Sequence, residues 1–336
     1  MKSYDLVCVG SGPGGLTAAL TAANKGKTVL LIERNEYLGG SLVTGANLVG
    51  PDALPEGFPQ TGALLQELVR KGAVGEPSPW QDLSARPVNP DMIRLAALQI
   101  CGKAGMDFLF STLPTEALVE NGEIREIVCL GKNKRMEIRA RAFIDGTGRG
   151  SLLHLAGADR EADPVQNLSL TGLLMCGEAG IPELFGEEAV HDLTEWVQCH
   201  TEIPAFRVYL QKALEPRRIV LQLIEQKDIG AGSAPQLNGI AADFYHLLMR
   251  LREACPGFGQ AQISSTSPCF SVSADSGSVP SGTDWEDLRT PTSVKGLFAC
   301  GQLVPIRRPD PIPFVPAVYC MMAGEAAGLA ASAFIG

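Results

Sequence analysis

Residues 4–33 read YDLVCVGSGPGGLTAALTAANKGKTVLLIE, and the fold follows from how that stretch divides. Asp5 to Val9 is a short apolar run bounded by glycine, the pattern of a buried strand. Leu16 to Asn24 is rich in alanine and leucine and reads as a helix. Thr28 to Ile32 is a second β-branched run, ending at Glu33. Strand, helix and strand within about thirty residues form a βαβ unit, which requires a parallel sheet. The link between strand and helix is GSGPGG, so Gly10, Gly12 and Gly15 satisfy G-x-G-x-x-G, with Ser11, Pro13 and Gly14 between them. Gly10 permits the tight turn, Gly12 lets a pyrophosphate approach the backbone, and Gly15 lets helix and strand pack closely. The helix N-terminus then offers free N–H groups and a positive dipole end to phosphate. Glu33 is placed to accept hydrogen bonds from ribose hydroxyls. The unit reads as a dinucleotide site, and Glu33 alone fits either NAD or FAD.

Working outward, residues 34–60 are rich in glycine and proline and read as a long functional loop. Helices are expected over Thr61 to Lys71 and Asp91 to Ala104, split by a link carrying Pro77, Pro79, Pro87 and Pro90. Asp107 to Phe110 reads as a strand, and Glu116 to Leu130 as a hairpin turning at Asn121-Gly122. Arg135 to Arg139 extends that small sheet, Ala142 to Ile144 leads into GTGRG, and Ser151 to Ala156 starts a helix. From Pro164 to Leu288 strand-like runs (169–175, 206–210, 218–224, 262–267) surround a helix near Ile240 to Ala254 and suggest a separate inserted sheet. Gly296 to Cys300 returns as a strand. Phe314 to Ile335 is apolar except for Glu325 and nearly long enough to span a bilayer, but its small residues suit a helix packed on other backbone.

A chain of 336 residues can bury a core without disulfides or metals. The net charge of −9 argues against nucleic acid or an anionic membrane as partner. The nine cysteines are scattered with no CxxC pair, so neither a zinc site nor a redox disulfide is indicated; Cys8, Cys129 and Cys300 read as small core residues. His154 reads as a core residue on an apolar helix, and His191, His200 and His246 have no metal-like spacing. No metal is expected. The start MKSYDLVCVG enters a strand without a secretion-signal pattern, so a cytoplasmic location is expected.

Beyond Glu33 and Arg34 the chain continues NEYLGGSL, with Gly39, Gly40, Ser41 and Leu42 after the strand. Here it resembles the glutathione-reductase-type FAD superfamily, and more narrowly the FAD-dependent oxidoreductases. FIDGTGRGSLLHLAG (143–157), with Gly146, Thr147 and Gly148, is similar to that family's Asp-x-Thr-Gly flavin turn. GLFACGQ (296–302), with Gly301 and Gln302, resembles its late motif beside the flavin ribityl and phosphate. PAVYCMMAGEAAGLAA, opening at Val315-Pro316, resembles its last helix, whose N-terminus faces the isoalloxazine ring. Pro114 falls near the backbone that holds adenine in the family, but lacks the N–H donor. Gln302 stands where the superfamily often has Asp, and SVSADSGSV (271–279) stands where relatives carry an Arg-rich stretch. The resemblance implies an α/β fold: a Rossmann-type FAD-binding domain with a parallel central sheet and a small β-meander, plus an inserted α+β substrate domain. The expected division is 1–163 with 289–336 for FAD and 164–288 for substrate.

No second glycine-rich nucleotide motif follows; GAGSAP (230–235) reads as a loop. Catalytic candidates lie in IRRPDPIPF: Arg307 and Arg308 to bind a substrate carboxylate, Asp310 as base. The alternative is that the arginines are solvated or contact FAD phosphate. Ser41, Thr44 and Asn47 are expected to line the same face, and Arg207 with Tyr209 to face either pocket or solvent. No His or Cys follows the glycine pair, so FAD is expected to be non-covalent. The expected activity is hydride transfer between a small organic substrate and FAD. Alternatives are a flavin subunit of an electron-transfer complex, with a partner protein or oligomer, and a thiazole-synthase-like biosynthetic protein.

Overall fold

Strand β1 (Tyr4–Val9), helix α1 (Pro13–Asn24) and strand β2 (Val29–Ile32) form where the apolar runs place them. The structure is a computed structural model that describes residues 3–45, 47–51, 54, 56–80, 83–158, 166–176, 190–203, 206–215, 217–227, 234–266, 271–274, 292–304 and 316–336. β1 and β2 pair in parallel, Leu6 opposite Val29 through Val9 opposite Ile32. All of β2, and β1 from Leu6, is buried, which explains why these runs do not alternate with polar residues.

The expected loop 34–60 instead contains a short helix α2 (Ser41–Thr44), strand β3 (Asn47–Gly50) and the start of helix α3 (Pro59–Arg70). The proline-rich link likewise contains β4 (Ser78–Trp80) and β5 (Leu83–Pro87) before helix α4 (Pro90–Lys103). Together they make a three-stranded antiparallel sheet, ordered β3-β5-β4. Pro79 is tolerated because β4 is an edge strand, and Pro87 because it ends β5.

β6 (Asp107–Leu109) joins β2 in parallel. β7 (Thr112–Glu120) and β8 (Glu123–Gly131) form the expected hairpin, with Asn121 and Gly122 both at positive φ, as a two-residue type I′ turn demands. β9 (Lys134–Asp145) serves two sheets' worth of pairing. Its first half runs antiparallel to β8, and its second half lies parallel to β1 and to β16 (Leu297–Ala299). Helix α5 (Ser151–Leu155) follows, and His154 on it is exposed rather than buried, because Leu152 and Leu153 supply its inward face.

A second sheet is ordered β11-β12-β13-β10-β14, with β15 also beside β10. Its strands are β10 (Gln166–Met175), β11 (Val190–Asp192), β12 (Phe206–Lys212), β13 (Arg218–Lys227), β14 (Gln262–Thr266) and β15 (Ser271–Ala274). Helix α6 (Thr194–His200) lies between β11 and β12; helix α7 (Ala234–Ala254) covers one face through Ile240, Phe244, Leu247, Leu248 and Leu251. Residues 230–233 of the expected GAGSAP loop lie outside the described residues; Ala234 and Pro235 open α7. The other face packs Tyr209 and Ile224 on Val49, Trp80, Leu83 and Ala85 of the three-stranded sheet. Trp80 meets Tyr209 edge-on, ring centroids 6.1 Å apart.

The chain closes with helix α8 (Ala317–Ile335). By length and composition it could cross a membrane, but it is mostly buried against α1 and the first sheet. A Cβ at Gly324 would collide with the Gly14 carbonyl oxygen, so backbone meets backbone there. The one charge on this helix, Glu325, is 1% exposed. Its carboxylate accepts from Gln60 N (3.0 Å), Thr61 N (2.7 Å) and Thr61 Oγ1 (2.8 Å), so the free N-terminus of α3 compensates it.

Candidate functional site

The parallel strands β1 and β9 end side by side, and a cavity of about 500 Å³ opens beyond them. The loop from Gly10 to Gly15 forms its floor. Gly10 has φ +97°, and a Cβ there would collide with the Gly146 carbonyl. A Cβ at Gly14 would sit 2.6 Å from the Gly301 Cα. At Gly12, by contrast, a Cβ would meet nothing within 4 Å. Gly10 and Gly14 therefore knit three turns together, while Gly12 leaves room on the cavity side. Gly12 caps α1 with extended backbone and no side-chain hydrogen bond, so the first N–H groups of α1 stay available at the cavity.

Glu33 is 5% exposed and lines the cavity. Its Oε2 accepts from Ser11 N (2.9 Å) and Ser11 Oγ (2.6 Å); its Oε1 accepts from Asn35 N (2.9 Å) and Asn35 Nδ2 (3.0 Å). The carboxylate thus ties the glycine loop to the end of β2.

The turn after β9 is organised by Asp145, which is fully buried. Its Oδ1 accepts from Thr147 N (2.9 Å) and Thr147 Oγ1 (2.7 Å), and its Oδ2 from Leu152 N and Leu153 N (both 2.9 Å). One carboxylate therefore fixes both Gly146-Thr147-Gly148 and the N-terminus of α5. Gln302 Nε2 donates to the Gly148 carbonyl at 2.6 Å, joining the late turn to the middle one. An aspartate could not make that donation, which gives the glutamine a structural reason.

Of the residues expected at the site, the loop 10–15, Glu33, Arg34, Gly40, Ser41, Thr44, Pro114, Gly146, Thr147, Gly148, Gly301 and Gln302 line the cavity. Pro114 pairs with Cys129 just before a bulge in β7. Gly39 and Leu42 do not line it: Gly39 N donates to Ser11 O (3.0 Å), and the Leu42 side chain is wholly in the core. Pro316 caps α8 from behind, and Ala317 takes the lining position. Arg307, Arg308, Asp310 and Val315 lie outside the described residues. Tyr209 is buried against Trp80 and Arg207 is half-buried, and neither lines the cavity.

Sequence reasoning missed Asn35, Thr112, Leu113, Arg149, Cys300 and Cys320, and the wall from the second sheet: Ser169, Gln222 and Ile224. The first group is adjacent to recognised motifs and was within reach. The wall has no local signature. Burial pushes the Cys300 thiol well above its ordinary range, with Cys8, Asp145 and Cys320 adding to the effect.

A profile of the family described as FAD dependent oxidoreductase matches residues 5–227. The thiamine thiazole synthase of Aeropyrum pernix is 28% identical over 170 residues, covering 46% of this chain and 58% of that protein. A digeranylgeranylglycerophospholipid reductase of Methanocella arvoryzae is 34% identical over 171 residues, 43% of this chain and 38% of the relative. The chain thus spans roughly half the length of these curated relatives. Among solved structures, a geranylgeranyl bacteriochlorophyll reductase-like protein from Thermoplasma acidophilum superposes with TM-score 0.66 at 18% identity, covering 99% of this chain and 79% of that one. A flavin-dependent brominase gives TM-score 0.61 at 15% identity, covering 99% and 80%. At these identities the likenesses speak for the fold. With two thirds of its length matched by the profile and the glycine cradle in place, the chain belongs to the FAD dependent oxidoreductase family, and its cofactor is FAD.

Proposed function

We propose that this protein transfers hydride between a small organic substrate and non-covalently held FAD. The observation that carries this reading is one cavity lined both by the glycine cradle and by residues of the second sheet. The cradle fits the group, since Gly12 leaves open space where side chains would obstruct a pyrophosphate. Gly12 and the first N–H groups of α1 would receive the phosphates. Glu33, Arg34 and the Thr112–Pro114 backbone would surround the adenosine, with Glu33 exchanging bonds from Ser11 or Asn35 for ribose hydroxyls. Gly146 to Gly148 and Gly301-Gln302 would hold the middle of the molecule, and the N-terminus of α8 would face the ring. Bound FAD supplies an acceptor for a hydride; the chain supplies position and exclusion of water. In this reading 1–163 with 289–336 hold the cofactor and 164–288 cap the substrate, in the cytoplasm.

The test is anaerobic mixing of the FAD-loaded protein with a metabolite panel. Bleaching of the 450 nm band (about that wavelength for flavin) by one compound class supports the reading. A flavin that no metabolite bleaches, but that dithionite does, refutes it. Acid precipitation should leave a colourless pellet; a yellow pellet overturns non-covalent binding.

A second reading, biosynthesis with the cofactor fold, is favoured by the stretch shared with a thiamine thiazole synthase. It needs a reactive cysteine. Burial pushes Cys101 and Cys129 up to about 12 and Cys300 well above its ordinary range, which disfavours their thiolates.

A further inference from the structure

We propose that Gln222 is the substrate-recognising donor of this cavity, and that the substrate is uncharged where it meets the second sheet. The ligand class is a largely apolar molecule carrying a neutral oxygen acceptor, a carbonyl or hydroxyl. The inference rests on the reading above, in which the cradle holds FAD and the second sheet closes the same cavity.

Gln222 and Ile224 lie two apart on β13 and so share one face; Ser169 of β10 sits directly opposite Ile224. All three line the cavity. Gln222 is only 6% exposed. Its Oε1 accepts from Gln211 Nε2 of the neighbouring β12 at 3.4 Å. That bond turns the carbonyl end of the amide toward Gln211 and leaves Nε2 as the free donor. Among the described residues Gln222 Nε2 has no hydrogen-bond partner. Nε2 is not among the fully buried unpartnered atoms, so it opens on the cavity, where a ligand's oxygen would take the place of water.

The charge distribution sets the ligand class. The acidic and basic side chains lining the cavity, among the described residues, are Glu33, Arg34 and Arg149. They belong to the end of β2 and the turn after β9, which form the dinucleotide end. Ile224 packs on Val49 of β3 and Tyr319 of α8, so those elements wall the Gln222 end. What they and their neighbours turn into the cavity is Thr44, Ala317 and Cys320. A carboxylate or ammonium buried there would lose its hydration without a counter-charge from the described residues that line this end.

The test uses FAD-loaded protein and two probes of one shape, benzamide and benzoate, titrated while the flavin absorption is read. Benzamide should perturb the band and bind at least about tenfold more tightly than benzoate, which must shed its hydration. Gln222→Leu should weaken benzamide about three- to tenfold, the worth of one hydrogen bond, while FAD stays bound. Gln222→Met serves the same purpose if the leucine variant fails to hold FAD. Gln211→Leu, which only orients Gln222, should weaken benzamide by less. Benzoate binding as tightly as benzamide overturns the proposal. So does full benzamide affinity in the Gln222 variants, or an FAD-loaded protein blind to both probes. A wild-type protein that cannot be loaded with FAD defeats the underlying reading, and this inference with it.

Discussion

At Gly10, Gly14 and Gly324 the backbone itself is the contact surface, whereas at Ser169, Gln222 and Ile224 the contact surface is side chain carried on ordinary strands. Gly10 and Gly14 of the first region line the same cavity as the three strand residues of the second, and Gly324 backs Gly14 from α8. The first tolerates almost no atom more than it has, because turn meets turn without side chains between. The second rests on a continuous apolar core beneath it, from Leu170 and Leu221 to Phe244 and Leu248. The contrast separates two kinds of specification. A backbone cradle demands glycine, so changes in it act on folding. A strand wall holds its shape whichever side chains face the cavity, so changes in it act on what binds.

The sharpest way to break this comparison is Gly324→Ala. The new Cβ would strike the Gly14 carbonyl, and neither backbone can yield cheaply. We expect a loss of about 3 kcal/mol or more, measured by urea unfolding, together with loss of FAD. A stable, yellow variant would show that α8 can shift, and the contrast would fail. Next comes Glu325→Gln, which leaves α3 with an amide where two N–H groups and a hydroxyl now find a carboxylate. A cost of about 2 kcal/mol is expected in the same melt, without a change in probe binding. Gln302→Asp should cost about 1 kcal/mol and weaken FAD, since the donor to the Gly148 carbonyl disappears. On the wall, the double change Gln211→Leu with Gln222→Leu should leave stability within about 1 kcal/mol, because both polar partners go together. A large loss there would mean that the amide pair holds the sheet.

The smallest effect expected is a pH dependence at the start of β1. The Thr28 backbone N–H and then its hydroxyl hold the Asp5 carboxyl below the usual carboxylate range. A depressed folded-state pKa gives stability that is present above the ordinary value of about 3.9 and lost as pH falls through the folded value. Asp5→Asn should therefore lower the thermal midpoint at pH 7 and converge on wild type in strong acid. A constant difference across that range would assign the effect to packing instead.

How much of this was legible beforehand follows the same divide. Gly10, Gly12, Gly15 and Glu33 announce the cradle because a backbone approach leaves glycines at fixed spacing. Asn121-Gly122 announces its hairpin for a similar local reason. The three-stranded sheet stayed hidden, because Ser78–Trp80 and Asn47–Gly50 are short and acquire strand geometry only from their pairing with Leu83–Pro87. Prolines at 79 and 87 pointed away from it. His154 misled because leucines flank it on both sides in sequence, yet the helix turns it outward. Gln222 had no signal: an amide on an apolar strand gains meaning only when Gln211 and the cavity stand beside it.

The packing of α8 on α1 also sets an order of events during synthesis. The carboxylate of Glu325 reaches Thr61 across 264 positions of chain, and Gly14 waits for Gly324 over a still longer span. Until residues 317–335 have been made, the first helix has an apolar flank without its cover. Contacts this remote slow folding and lengthen the time in which such a flank can meet another nascent chain. Helix α8 therefore completes α1 from afar: a fragment ending before residue 317 would expose the flank of α1 that α8 covers.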